Sequence, residues 1–112
     1  MDKSMITFED FSKVDLRIGT IIEVNDFPEA HNPAYQLTID FGILGIKKSS
    51  AQITTLYTKA QLLNRQIVAV VNFPKKQIAK FMSECLVVGA VKDKDVVLLN
   101  PEYPVKNGTS VT

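Results

Sequence analysis

Between residues 41 and 80 the chain carries Lys47, Lys48, Lys59, Arg65, Lys75, Lys76 and Lys80 and not one carboxylate, a local charge of +7. Residues 1–40 hold three cations against eight carboxylates, and residues 81–112 hold three against four, so the total of +1 conceals a strong segregation. Ammonium and guanidinium groups stay protonated at neutral pH. They therefore bind anions rather than exchange protons. If folding gathers this stretch on one face, that face attracts a polyphosphate, because each lysine that neutralises a phosphate releases condensed counterions. The alternative is a solubilising surface with the lysines scattered around the molecule.

Three clusters stand out within and just after this stretch. The first is Lys47-Lys48-Ser49-Ser50, where strand alternation would send the two lysines to opposite faces. The second is Asn72-Phe73-Pro74-Lys75-Lys76-Gln77, in which Pro74 fixes the direction of the chain as it leaves an apolar run. The third is Lys80-Phe81-Met82-Ser83-Glu84. The second and third flank one short connection and must lie near each other. Phe73 and Phe81 either stack on unpaired bases or, as is usual for phenyl rings in a small barrel, plug the interior.

Catalytic chemistry finds little support. His31 is the sole imidazole and sits in a loop between Pro28 and Pro33, so a serine or cysteine nucleophile has no other candidate base. Cys85 is followed by Leu86-Val87-Val88, the setting of a small buried hydrophobe. One cysteine and one histidine do not make a zinc site, and one cysteine cannot form an intrachain disulfide. Gly42-Ile43-Leu44-Gly45-Ile46-Lys47 superficially resembles a phosphate loop, but Ile46 separates the second glycine from the lysine. No cofactor and no metal are expected. Asn107-Gly108-Thr109 reads as a tight turn.

The elements that must hold these clusters are short. Thr7 and Asp10 form a capping signal for a brief helix carrying Phe8 and Phe11. Residues 16–24 alternate, with Leu16, Ile18, Thr20, Ile22 and Val24 on one face; residues 35–41 place Tyr35, Leu37, Ile39 and Phe41 together. Strands are expected at 46–50, 66–73, 85–91 and 96–99. Residues 54–63 have roughly helical spacing, and 75–81 read as a basic connector. Three strands, a helical connection and further strands fit a small all-β barrel of OB-fold order in one domain, 1–112. Hydrophobic residues make up 46% of the chain, but the longest apolar runs, at 67–71 and 85–91, fall far short of the ~20 residues a membrane span needs. No signal-peptide apolar region follows Met1, so a cytoplasmic protein without membrane insertion is expected.

Several motifs, in order, resemble the tRNA-binding domain family, an OB-fold module found alone, on aminoacyl-tRNA synthetases and in cytokine precursors. They are Asp15-Leu16-Arg17-Ile18-Gly19-Thr20-Ile21, Asn72-Phe73-Pro74 and Ser83-Glu84. Phe27-Pro28-Glu29-Ala30, Ile39-Asp40-Phe41-Gly42, Gly45-Ile46-Lys47, the run from Ser49 to Thr54 and that from Ala69 to Pro74 are similar to its stand-alone CsaA branch, the export-related chaperones. The resemblance spans about residues 8–109. It implies a homodimer that binds tRNA or structured RNA on the basic side of the barrel and, in this branch, unfolded or preprotein segments. By position it implicates Asn72, Lys75, Lys76, Ser83 and Glu84, beside which the charge pattern sets Lys47, Lys48 and Lys80. This chain departs from the family pattern with Leu86 where a methionine is common, with Lys80 in place of a glycine, and with His31-Asn32 in place of an arginine.

Overall fold

The computed structural model describes residues 3–112. Helix α1 (Phe8–Ser12) begins where the capping signal stands: the Thr7 hydroxyl accepts the Asp10 N–H at 3.1 Å and the Asp10 carboxylate accepts the Thr7 N–H at 3.2 Å. No residue of α1 is buried. Strand β1 (Leu16–Asp26) then runs through the middle of the sheet. Its first half pairs with β4 (Gln66–Val70) and its second half with β2 (Tyr35–Asp40).

The face that alternation suggests for β1 is inward only in part: Ile18 is buried and Val24 packs on the core, but Ile22 is not inward. Gly19 and Ile21 face the core, a bulge between Ile21 and Glu23 inserts Ile22, and Val24 then returns to the core. Ile22 is left 41% exposed while Ile21 is fully buried. The extra residue shifts the period-two register by one and bends the strand. Gly19, two residues before Ile21, is required for a different reason, since a Cβ there would lie 2.7 Å from the Ile39 and Phe41 side chains. In β2 the expected face holds: Tyr35, Leu37 and Ile39 are buried, as is Phe41 beyond its end.

A 3₁₀ turn (Gly42–Leu44) leads into β3 (Ile46–Ala51), which pairs antiparallel with β2. The helical connection contracts to one turn, α2 (Lys59–Leu62), capped by Thr58 and Gln61. Tyr57 explains the contraction. Its carbonyl accepts the Tyr35 hydroxyl at 2.8 Å and its own hydroxyl accepts the Leu98 N–H at 3.0 Å, bonds that hold it outside a helix. Strand β4 stops at Val70, and the expected basic connector is instead a hairpin of β5 (Lys76–Ile78) and β6 (Phe81–Ser83). The apolar run 85–91 divides between β7 (Leu86–Val87), which joins β4, and β8 (Gly89–Lys92), which forms a second hairpin with β9 (Asp95–Leu98). Strand β10 (Ser110–Val111) adds to β1.

The main sheet runs β3-β2-β1-β4-β7. It curls into a small OB-type barrel because β3 meets the segment between β6 and β7: the Glu84 N–H donates to the Lys48 carbonyl at 2.7 Å. Ile21, Leu37, Ile39, Phe41, Leu62 and Ile67 fill the interior, with Cys85 beside them.

Two outcomes test this packing. Ala79, at the β5–β6 turn, has φ +54°, a region where L residues other than glycine are strained. Ala79→Gly is expected to stabilise the fold by about 0.5–1 kcal/mol, read as a higher urea midpoint at unchanged m. A lower midpoint contradicts that strain. Burial pushes the Cys85 thiol up to about 12, above its value in the unfolded chain. From about pH 9 upward the unfolded state loses this proton and the folded state keeps it, so stability falls with pH by up to about 1.4 kcal/mol per unit. Cys85→Ala removes this component, so its melting temperature is expected to decline less steeply than that of the parent between about pH 9 and 11. Parallel declines contradict the assignment.

Candidate nucleic-acid interface

The three lysine clusters meet through backbone. In β3, Lys47 lies opposite Ile39, on the core side of the sheet, and Lys48 lies opposite Thr38, on the outer side. Lys47 is half-buried at the barrel's end, close enough to Cys85 to oppose the rise of its thiol; Lys48 is exposed. Alternation thus separates the pair as anticipated.

Glu84 joins this strand to the second cluster. Its N–H donates to the Lys48 carbonyl at 2.7 Å, its Oε1 accepts the Lys48 N–H at 3.0 Å, and its Oε2 stands 3.5 Å from Lys75 Nζ. Ser83 adds a bond, its Oγ accepting the Ser50 N–H at 3.3 Å. Ser83 also lies opposite Lys76 across the β5–β6 hairpin. Lys80 is exposed in the turn of that hairpin, roughly 10 Å along the strand from the level of Lys76.

Asn72 is an internal clamp for the amino-terminal segment. Its Nδ2 donates to the Lys13 carbonyl at 2.6 Å and its Oδ1 accepts the Asp15 N–H at 3.0 Å. The side chains of Asn72, Ser83 and Glu84 therefore already hold backbone partners. A polyanion approaching this face meets ammonium groups first.

Not all seven cations of the acid-free stretch join this face as free charges. Lys59 pairs with Asp26 at 2.9 Å, which raises its pKa through the hydrogen bond and the carboxylate charge. The Arg65 guanidinium stacks over the Tyr57 ring at 5.2 Å. Lys75 has Glu84 as a neighbour, an acid from beyond the stretch. Among the described residues, Lys47, Lys48, Lys76 and Lys80 have no carboxylate oxygen within 4.0 Å.

Lys76 occupies the junction of three surface clefts. One of about 310 Å³ is lined by Phe73, Pro74, Lys76, Ser83, Cys85 and Leu86. A second, about 360 Å³, runs over Ile53, Ile78, Val87 and Leu98. A third, about 300 Å³, reaches His31 and Asn32. The two phenylalanines part company here. Phe81 packs on Phe27 with ring centroids 5.3 Å apart, anchoring the hairpin, whereas Phe73 is 55% exposed. Phe73 does not plug the barrel, because β4 ends at Val70 and Asn72 diverts the chain toward Lys13 and Asp15. Pro74 was the one local sign of that departure. Among the described residues no group of three metal-ligating side chains occurs.

Residues 16–110 match the family described as "Putative tRNA binding domain". The chain is 37% identical over 112 residues to a methionine–tRNA ligase of Pyrococcus furiosus, covering 95% of this chain but only 14% of that enzyme. Two solved structures are 54% identical to it. The chaperone CsaA of Bacillus anthracis superimposes with a TM-score of 0.93, covering 97% of this chain and 100% of that one. The CsaA chaperone of Picrophilus torridus gives 0.91, with 96% and 100% covered. A barrel closed at Ser83-Glu84, the lysine segments on either side of that closure and these matches together make the chain a member of the tRNA-binding domain family, of the CsaA type.

Proposed function

We propose that this chain binds tRNA or another structured RNA, without catalysis, on the face where β3, the Pro74–Lys76 exit and the β5–β6 hairpin meet. The reciprocal pairing of Lys48 with Glu84 carries the reading, since it brings two lysine segments far apart in sequence side by side. Lys48, Lys75, Lys76 and Lys80 supply the phosphate contacts, with Lys47 at the barrel's end. Asn72, Ser83 and Glu84 hold the segments that present them. Because the contacts are ammonium to phosphate, affinity falls steeply with salt and base sequence matters little to this part of the interface.

The test is tRNA titration across a salt series. Lys75→Ala/Lys76→Ala is expected to weaken binding at low salt and to lower the slope of log K against log[salt] by about two, one per lost phosphate contact. Unaltered affinity and slope would place the RNA elsewhere.

A second activity, binding of unfolded or preprotein segments, is favoured by the second cleft, whose floor includes Ala51, Ile53, Ile78, Leu86 and Leu98, and by the likeness to proteins described as chaperones. The chain acts as a homodimer in this reading and works in the cytoplasm. Met5 is 97% exposed, Ile6 67% and Phe8 79%, an apolar amino-terminal stretch that a second copy would cover. Ile6→Asp/Phe8→Asp is expected to halve the mass seen by light scattering while leaving the circular dichroism spectrum intact. A dimer that persists removes this surface as the junction.

A further inference from the structure

We propose that the cleft beside Phe73 is a slot for one unpaired nucleobase, so that the RNA is held by an unstacked nucleotide as well as by its phosphates. The inference rests on the RNA reading above and adds the kind of nucleotide this site takes. Phe73 is a large aromatic ring left 55% exposed between Asn72, clamped to Lys13 and Asp15, and Pro74. The adjoining cleft of about 310 Å³ is lined almost wholly by apolar atoms of Phe73, Pro74, Cys85 and Leu86. Leu86, half exposed, is the second large apolar side chain of that lining.

Charge selects the occupant. Lys76 enters the lining with no carboxylate within 4.0 Å among the described residues, and Glu84, between the lining residues Ser83 and Cys85, is engaged by the Lys48 N–H and Lys75. A flat ring with apolar faces, joined to an anion, satisfies both features, and a nucleotide is such a ligand. An uncharged apolar side chain would leave the lysine unused.

The polar atoms of the lining also define what the slot reads. Ser83 Oγ already accepts the Ser50 N–H and donates to the Cys85 carbonyl, and the Cys85 thiol points to the Lys48 carbonyl at 3.8 Å. Burial keeps that thiol protonated. Few groups remain to read a base edge, so the ring face is recognised and any base is accepted, purines better than pyrimidines because more ring overlaps.

The experiment compares a short unstructured oligoadenylate, an oligouridylate and a blunt RNA duplex of equal phosphate count by fluorescence anisotropy. Phe73→Ala is expected to weaken both single strands by roughly 5- to 100-fold and to leave the duplex affinity and every salt slope unchanged. Phe73→Tyr is expected to restore single-strand binding. A 2-aminopurine placed in the oligoadenylate should change its emission on binding to the parent and not to Phe73→Ala. If Phe73→Ala weakens single strands and duplex alike, or neither, the slot is wrong although the phosphate face stands. If the variant loses capture of a reduced, carboxymethylated protein while RNA affinity is kept, the cleft takes polypeptide instead. If the parent binds none of the RNAs at low salt, the RNA reading itself falls.

Discussion

The pairing of Glu84 with Lys48 holds the rest of the molecule in its functional shape. The sheet runs from β3 to β7, and its two ends would remain unpaired edges without a junction. That junction is made at Glu84, whose backbone N–H donates to the Lys48 carbonyl and whose carboxylate accepts the Lys48 N–H, and at Ser83, whose Oγ accepts the Ser50 N–H; the other Glu84 oxygen faces Lys75 Nζ. A carboxylate that accepts a backbone N–H and faces an ammonium forms charge-assisted bonds, stronger than neutral ones. The same atoms that close the barrel thus set the spacing of the lysines around it.

Electrostatics divides the cations by task. Lys59 ties α2 to the end of β1 through Asp26, and Arg65 lies on Tyr57, itself bonded to Tyr35 and Leu98. These serve the fold. Lys48, Lys76 and Lys80 stand in solvent without carboxylate partners among the described residues. Exposed ammonium groups contribute little to stability. Their placement is therefore free to serve recognition, and their attraction for a polyanion is screened within about 8–10 Å at physiological salt.

The amino-terminal segment follows a different logic. Helix α1 has an ordered cap yet buries none of its residues, and a five-residue helix is too short to persist on propensity alone. Asn72 holds its far end by two bonds to backbone. One side chain therefore fixes both the apolar amino-terminal surface and the exit that exposes Phe73.

By itself the sequence determined what depends on neighbours along the chain. The Thr7–Asp10 cap, the inward set Tyr35, Leu37, Ile39 and Phe41, the turn at Asn107-Gly108 and the segregation of charge were all legible, because each follows from spacing and local geometry. Family motifs named the barrel. Tertiary structure alone decided the rest. The bulge at Ile22 left that residue exposed between the inward Ile21 and Val24, because the pairing of β1 with β2 slips by one residue there. The basic connector became a hairpin, since Phe81 found Phe27, more than fifty residues away. Phe73 turned outward because Asn72 met Lys13 and Asp15, and Glu84 became a latch because its acceptor groups met β3. Each of these outcomes is set by contacts between segments distant in sequence, and no local pattern of residue types encodes where such partners meet.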